Sequence, residues 1–153
     1  MNKGNDGMAS CMPTVFELIV RGDIPSHKVA EGKLWYAFLD IAPRREGHTL
    51  VVPKRATSRL CELTTDEHAA LMKGVCEVQA RLGQVFDTND FTVCLHDGPL
   101  AGQEVPHVHF HVLPRTHGDG GKSLMAMWPA QPAADPPHDR LAALAKQLTD
   151  VGA

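Results

Sequence analysis

The chain predicts an α+β fold with an antiparallel sheet. Three observations predict it. Segments of helical and strand periodicity follow in the order helix, strands, helix, strands, helix; consecutive strands are joined by short turns; and a doubly wound parallel sheet would need more crossover helices. At 153 residues the length suits one domain, because a chain of that size buries roughly 70% of the surface its unfolded form exposes.

Each element has its own signal. Residues 1–12, "MNKGNDGMASCM", mix Gly, Asn and Ser without periodicity and read as a flexible leader. In "PTVFELIVRGDIPS", Pro13 suits a helix start, Phe16, Ile19 and Val20 form a short apolar face, and Gly22 stops the turn. "LWYAFLDIAP" and "HTLVVPK" are rich in β-branched and aromatic residues and flank the charged turn "RREG", so they read as two strands whose ends lie at Asp40 and His48. Thr64 with Glu67 makes a capping box, and Leu71, Val75, Val78, Leu82 and Val85 recur at helical spacing, which predicts one long helix over about 64–86. "DFTVCLHDGPLAG" reads as a strand running into a Gly- and Pro-rich turn, and "EVPHVHFHVLP" as a strand of strict alternation. "THGDGGKS" and "WPAQPAADPP" read as loops, and a last helix over about 138–150 carries Leu141, Leu144 and Leu148 on one side.

Composition limits the function classes. Hydrophobic residues are 43% of the chain and charged ones 22%, ordinary for a globular protein, and the formal charge of −3 supplies no basic field for a nucleic acid or an anionic membrane. No apolar run approaches the roughly 20 residues of a membrane-spanning helix. The four cysteines, Cys11, Cys61, Cys76 and Cys94, form no CxxC pair and follow no signal segment, so reduced thiols in a cytoplasmic protein are expected.

The densest chemistry is "HVHFHVLPR", which holds three of the nine histidines. On a strand, His107, His109 and His111 project from one face with successive Cβ atoms roughly 6.5–7 Å apart, while Val108, Phe110 and Val112 share the other. Three readings stand side by side: a solvated polar face; a metal site, which needs further ligands from elsewhere; or a nucleophilic imidazole that attacks phosphorus. The Gly-rich "DGPLAGQEVP" just before the triad favours the third, because backbone N–H groups in such turns bind anions.

"AGQEVPHVHFHVLPR" closely resembles the signature of the histidine triad (HIT) family of nucleotide hydrolases and transferases, and the likeness continues through "GDIPSHKV", "AFLDIAP" and "GHTLVVPK", covering about residues 13–118. The resemblance implies a HIT-like fold: an antiparallel sheet of about five strands with a long helix and shorter terminal helices, one domain over 13–153 with 119–153 as a C-terminal extension. It implies that His109 is the nucleophile that carries a nucleotidyl intermediate. His107 and His111 would orient it and contact the α-phosphate or leaving group. It also places Gln103 at a phosphate or leaving-group contact, Asp40 and Ile41 at the ribose and purine, and His48 in support; the backbone from Gly102 to Glu104 is expected to cradle phosphate oxygens, with Val105 also at the nucleotide. The resemblance further implies a homodimer. Trp128, in the extension, is read as a loop anchor or as a residue reaching a neighbouring active site.

Three positions depart from the family pattern. His96 stands where Asn or Gln usually contacts the nucleotide. Thr14 and Glu17 stand where many bacterial relatives carry a zinc-binding CxxC, so no structural zinc is expected. Glu104 stands where some branches have Ser or Thr, which tells against the phosphoramidase branch. "DGPLAGQ" with "HVLPR" looks more like the diadenosine polyphosphate hydrolases. The expectation is therefore hydrolysis of a purine dinucleoside polyphosphate at its α-phosphate, with no cofactor for the covalent step and a divalent cation entering with the substrate. Alternatives are a purine nucleoside phosphoramidate hydrolase and a nucleotide-binding signalling module; a metal enzyme ranks lower, and a galactose-phosphate uridylyltransferase lower still.

Overall fold

A seven-residue helix α1 (Val15–Arg21) opens on Thr14, whose side chain accepts the Glu17 N–H, and closes on Gly22 at φ 85°, a left-handed conformation that glycine adopts without a Cβ penalty. The structure, a computed structural model, describes residues 12–123 and 137–151. The leader expected over residues 1–12 lies almost wholly outside the described residues, as do Trp128 and most of the Pro-rich stretch around it.

Five strands follow: β1 (Lys28–Glu31), β2 (Trp35–Leu39), β3 (Thr49–Pro53), β4 (Phe91–Leu95) and β5 (Phe110–Pro114). They pair antiparallel in the order β1-β2-β3-β5-β4. The sequence reading anticipated four of them. β1 escaped it because the strand has four residues and a register shift between Lys28 and Ala30. The strand expected over 104–114 forms its ladder only from Phe110, because Pro106 offers no N–H and the His107 N–H turns back to the Val105 carbonyl at 2.8 Å.

The long helix α2 (Thr65–Phe86) begins at the expected capping box: Thr64 accepts the Glu67 N–H and the Glu67 carboxylate accepts the Thr64 N–H. The same carboxylate takes Arg55 in a two-pronged pair at 2.7 and 2.7 Å, and these bonds hold Glu67 down at a pKa of about 2. α2 covers one face of the sheet, with Leu71, Val75, Val78 and Leu82 packed on Trp35, Ala37, Val51, Val108 and Val112. β3 is buried along its whole length and serves both faces. On the opposite face Phe38, Leu50 and Val52 pack against Phe16 of α1. Alternation across the sheet therefore decides which residues meet α2 and which meet α1, and the odd-numbered histidines of the triad segment fall on the α1 side.

The chain divides into two compact units, one ending at Asp119 and one beginning at Gly120. The second contains the helix α3 (His138–Val151), in the expected place, with Leu141, Leu144 and Leu148 exposed. No helix among the described residues is long and apolar enough to cross a membrane.

Candidate active site

A cavity of about 570 Å³ opens on the α1 side of the sheet. α1 contributes Val15, Phe16 and Ile19; the sheet contributes Phe38 and Leu50; the β2–β3 loop contributes Asp40, Ile41, Ala42, Arg44 and His48. Across from that loop stand His96, Gly102, Glu104, Val105, His109 and His111. Nine of the eleven residues singled out from sequence thus line one space. The apolar wall and Arg44 were missed. In the sequence Phe16 and Ile19 read as an apolar stripe, and nothing in the local pattern of α1 says which space that stripe faces.

The protonation pattern of the imidazoles follows from their partners. His109 Nδ1 lies 2.7 Å from the His107 carbonyl oxygen. A carbonyl only accepts, so Nδ1 carries the proton and Nε2 keeps its lone pair. Phe16 stands edge-on to the His109 ring with centroids 5.0 Å apart, and His111 does the same at 5.0 Å. Burial holds His109 below the usual histidine pKa, so the ring is neutral at pH 7.

A second series ends at His111. The Arg44 N–H donates to His48 Nδ1 at 3.2 Å, so His48 carries its proton on Nε2 and donates it to His111 Nδ1 at 2.9 Å. His111 then presents an Nε2–H, and that buried nitrogen has no hydrogen-bond partner among the described residues. Burial, followed by the neighbouring imidazoles of His109, His48 and His96, pushes His111 down to about 4, and burial also lowers His48. Asp40 lies 3.6 Å from His48, too far for a hydrogen bond, and its other oxygen accepts the Ala42 N–H at 2.9 Å.

Two expected site residues do not reach the cavity. The His107 ring is fully buried, with Nε2 2.9 Å from the Pro53 carbonyl and Nδ1 2.9 Å from the Thr14 hydroxyl. It touches His109 through its main-chain carbonyl, and its ring is not among the residues that line the cavity. The Gln103 amide donates to the Ser58 carbonyl at 2.8 Å. Of the backbone expected to form a cradle, part is occupied within the turn. The Gly102 and Gln103 N–H groups are engaged inside the turn, on the Pro99 and Gly98 carbonyls at 3.0 and 3.1 Å. The next two N–H groups, of Glu104 and Val105, find no hydrogen-bond partner among the described residues. The N–H groups left open to the cavity are therefore those of Glu104 and Val105.

Two metal arrangements come into question. Asp40, His48 and His111 each offer one ligand atom within 4.8 Å of the others. The two imidazoles already share a proton across 2.9 Å, a bond that a cation would have to break. Where the family resemblance raises a structural zinc, Thr14 caps α1, Glu17 pairs with Arg21, and both nitrogens of His107 are engaged. With no cysteine among them, a hydroxyl at Thr14 and the Glu17 carboxylate already paired, that donor set does not fit a structural zinc, whose four ligands are Cys and His.

Comparison with known proteins agrees with this geometry. The family described as HIT domain matches residues 21–118. The adenosine 5'-monophosphoramidase HNT1 of Saccharomyces cerevisiae is 35% identical over 88% of this chain and 79% of its own length. The bifunctional bis(5'-adenosyl)-triphosphatase/adenylylsulfatase FHIT of Arabidopsis thaliana is 40% identical over 59% of this chain and 50% of its own. The crystal structure of SMU.412c from Streptococcus mutans UA159 superposes with a TM-score of 0.82 at 30% identity, covering 100% of this chain and 94% of that one.

Proposed function

The chain belongs to the histidine triad family of nucleotide hydrolases and transferases, and from that premise we propose that it hydrolyses a purine nucleotide at its α-phosphate through a nucleotidyl intermediate on His109. The observation that carries this reading is the tautomer of His109: its Nδ1–H is held by the His107 carbonyl, which leaves the Nε2 lone pair for an in-line attack. As the phosphorus–nitrogen bond forms, the bond to the leaving group breaks. The Nε2–H of His111 and the Glu104 and Val105 N–H groups supply donors for the α-phosphate oxygens or the departing atom. Water then displaces the nucleoside monophosphate and His109 returns to neutrality. Phe16, Ile19, Phe38 and Ile41 give the base an apolar wall, and Asp40 faces the ribose hydroxyls.

The charge of the cavity bears on the leaving group. Arg44 is the one Lys or Arg among the described residues that line it, against the carboxylates of Asp40 and Glu104, and burial keeps His48, His109 and His111 neutral. A nucleotide or polyphosphate leaving group departs as an anion and wants cations; an amine departs by taking its proton from solvent, and needs from the cavity only a hydrogen-bond donor such as the His111 Nε2–H. This favours a nucleoside phosphoramidate over the dinucleoside polyphosphate that the "DGPLAGQ" and "HVLPR" motifs led us to expect. A polyphosphate would bring its own divalent cation, and the reading includes no structural zinc. It also includes a cytoplasmic two-fold homodimer: β4 ends the sheet order with one edge unpaired and Val93 exposed, and Cys61, Cys76 and Cys94 are free thiols.

The test is turnover of adenosine phosphoramidate, diadenosine triphosphate and diadenosine tetraphosphate, with and without chelator, alongside mass spectrometry of acid-quenched enzyme. The expected results are AMP release, a higher kcat/KM for the phosphoramidate that chelation leaves unchanged, and a nucleotidyl adduct on His109. His109→Ala should lower kcat by ~10⁴ or more while AMP still binds. An adduct on any other side chain, or full activity in His109→Ala, would defeat the reading; AMP binding without turnover of any substrate would leave a binding module.

A further inference from the structure

Thr14 joins the start of α1 to the triad across 93 positions of sequence, and the direction of every hydrogen bond in that connection is forced. The Pro53 carbonyl can only accept, so the proton of neutral His107 is on Nε2, 2.9 Å away. His107 Nδ1 is then an acceptor, and the Thr14 hydroxyl at 2.9 Å must donate to it. That hydroxyl has one proton and two lone pairs; one lone pair takes the Glu17 N–H at 3.1 Å, capping α1. At the other end, the His107 carbonyl receives the His109 Nδ1–H at 2.7 Å. The ring in the middle is fully buried, and α1 returns to the same place through Phe16, whose ring lies edge-on to both His107 at 6.0 Å and His109 at 5.0 Å.

We infer that Thr14 is a positioning residue for the nucleophile: its hydroxyl proton keeps His107 neutral and in place, so that the His107 carbonyl fixes His109 with the Nε2 lone pair directed at the substrate. Thr14 is not one of the described residues that line the cavity and acts through His107. The inference rests on His109 as nucleophile and adds a determinant 95 residues upstream of it, on the element that also supplies the apolar wall. Burial, the first cause of His107's lowered pKa, works in the same direction, since a buried imidazole is held neutral most securely when its second nitrogen already has a donor.

Three substitutions separate positioning from capping. Thr14→Ser keeps both the proton and the cap. Thr14→Asp keeps an acceptor for the Glu17 N–H, since Asp is as good an N-cap as Ser or Thr, but has no proton to donate at neutral pH. Thr14→Val removes both. The readouts are kcat and KM for adenosine phosphoramidate and ¹⁵N spectra of the histidine rings in the free protein. The parent should show His107 protonated on Nε2 alone and His109 on Nδ1 alone. Thr14→Ser should stay within about twofold in kcat. Thr14→Asp should lose about tenfold to a hundredfold in kcat, the scale of misplacing a reacting group by an ångström or less, with KM within about twofold, a second proton on His107 and a mixed His109 tautomer. Equal losses in the Ser and Asp variants would reduce Thr14 to a packing role. A kcat loss without a change in the ring spectra, or changed spectra with parental kcat, would overturn the link through His107. If the variants do not fold, the parent still decides: a proton on His107 Nδ1 ends the proposal. An absent adduct on His109 sinks the functional reading instead, and leaves the ring-tautomer measurement able to judge the Thr14 connection.

Discussion

Glu104 places a carboxylate on the cavity wall, where its charge favours the protonated form of His109 and opposes an anionic leaving group. The α-phosphate is common to both candidate substrates, so the ratio of their kcat/KM values isolates what Glu104 does to the group that departs. Two charges about 4 Å apart interact by roughly 1 kcal/mol in water-like surroundings, and Glu104 is exposed. Glu104→Gln should therefore raise kcat/KM for diadenosine tetraphosphate relative to adenosine phosphoramidate by about two- to fivefold. Steady-state kinetics of both substrates on both proteins measures this, and a shrinking ratio would show that Glu104 does not face the leaving group. Charge at the rim was legible in the sequence as a departure from Ser or Thr. What the pattern did not show was that Gly102 and Gln103 commit their N–H groups to the turn itself, so that the donors left over belong to Glu104 and Val105.

At the scale of elements, α2 approaches the sheet over Gly74. A Cβ built there would lie 2.6 Å from the Trp35 ring, closer than real carbon contacts allow. Alanine gains about 1 kcal/mol of helix propensity over glycine, yet here the helix or the indole must move, and overpacking costs roughly 1–3 kcal/mol. Gly74→Ala should lower stability by about 1 kcal/mol in denaturant titration, where propensity alone would raise it; a stabilised variant would show that Trp35 gives way freely. The two helices illustrate what sequence can and cannot reveal. α2 was legible because its capping box and its apolar spacing are local and agree over 22 residues. α1 was legible as a helix, but its partnership with His107 and the cavity depends on a fold that brings Thr14 beside a residue 93 positions away. The triad strand was overread for a related reason: side chains already alternate from His107 onward, before the hydrogen-bond ladder begins at Phe110, and periodicity records the alternation alone.

Across the whole first unit, folding buries four imidazoles, His48, His107, His109 and His111, and burial is the first cause of a lowered pKa at each. In the unfolded chain these groups titrate near 6.5, while folded His111 titrates at about 4. Between those values the unfolded state binds more protons than the folded one, so stability rises with pH through that window and is lost as pH falls from 6.5 towards 4. His111 contributes up to about 1.4 kcal/mol per pH unit there, and the other three imidazoles, also lowered by burial, act in the same direction below 6.5. Glu67 adds a lower stage. Its carboxyl is held near 2 by Arg55, so its stabilisation is present above the ordinary carboxylate pKa of 4.5 and fades as pH falls towards 2. Denaturation midpoints should thus be flat above about pH 7, fall steeply between 6.5 and 4, and keep falling below 4.5 as Glu67 is protonated. His111→Asn should flatten the first stage by one proton's worth, and Glu67→Gln should remove only the second. A midpoint that stays constant between pH 7.5 and 5 would mean that the imidazoles are solvated in the native state, and with that the neutral, pre-oriented His109 on which the chemistry depends would lose its physical basis.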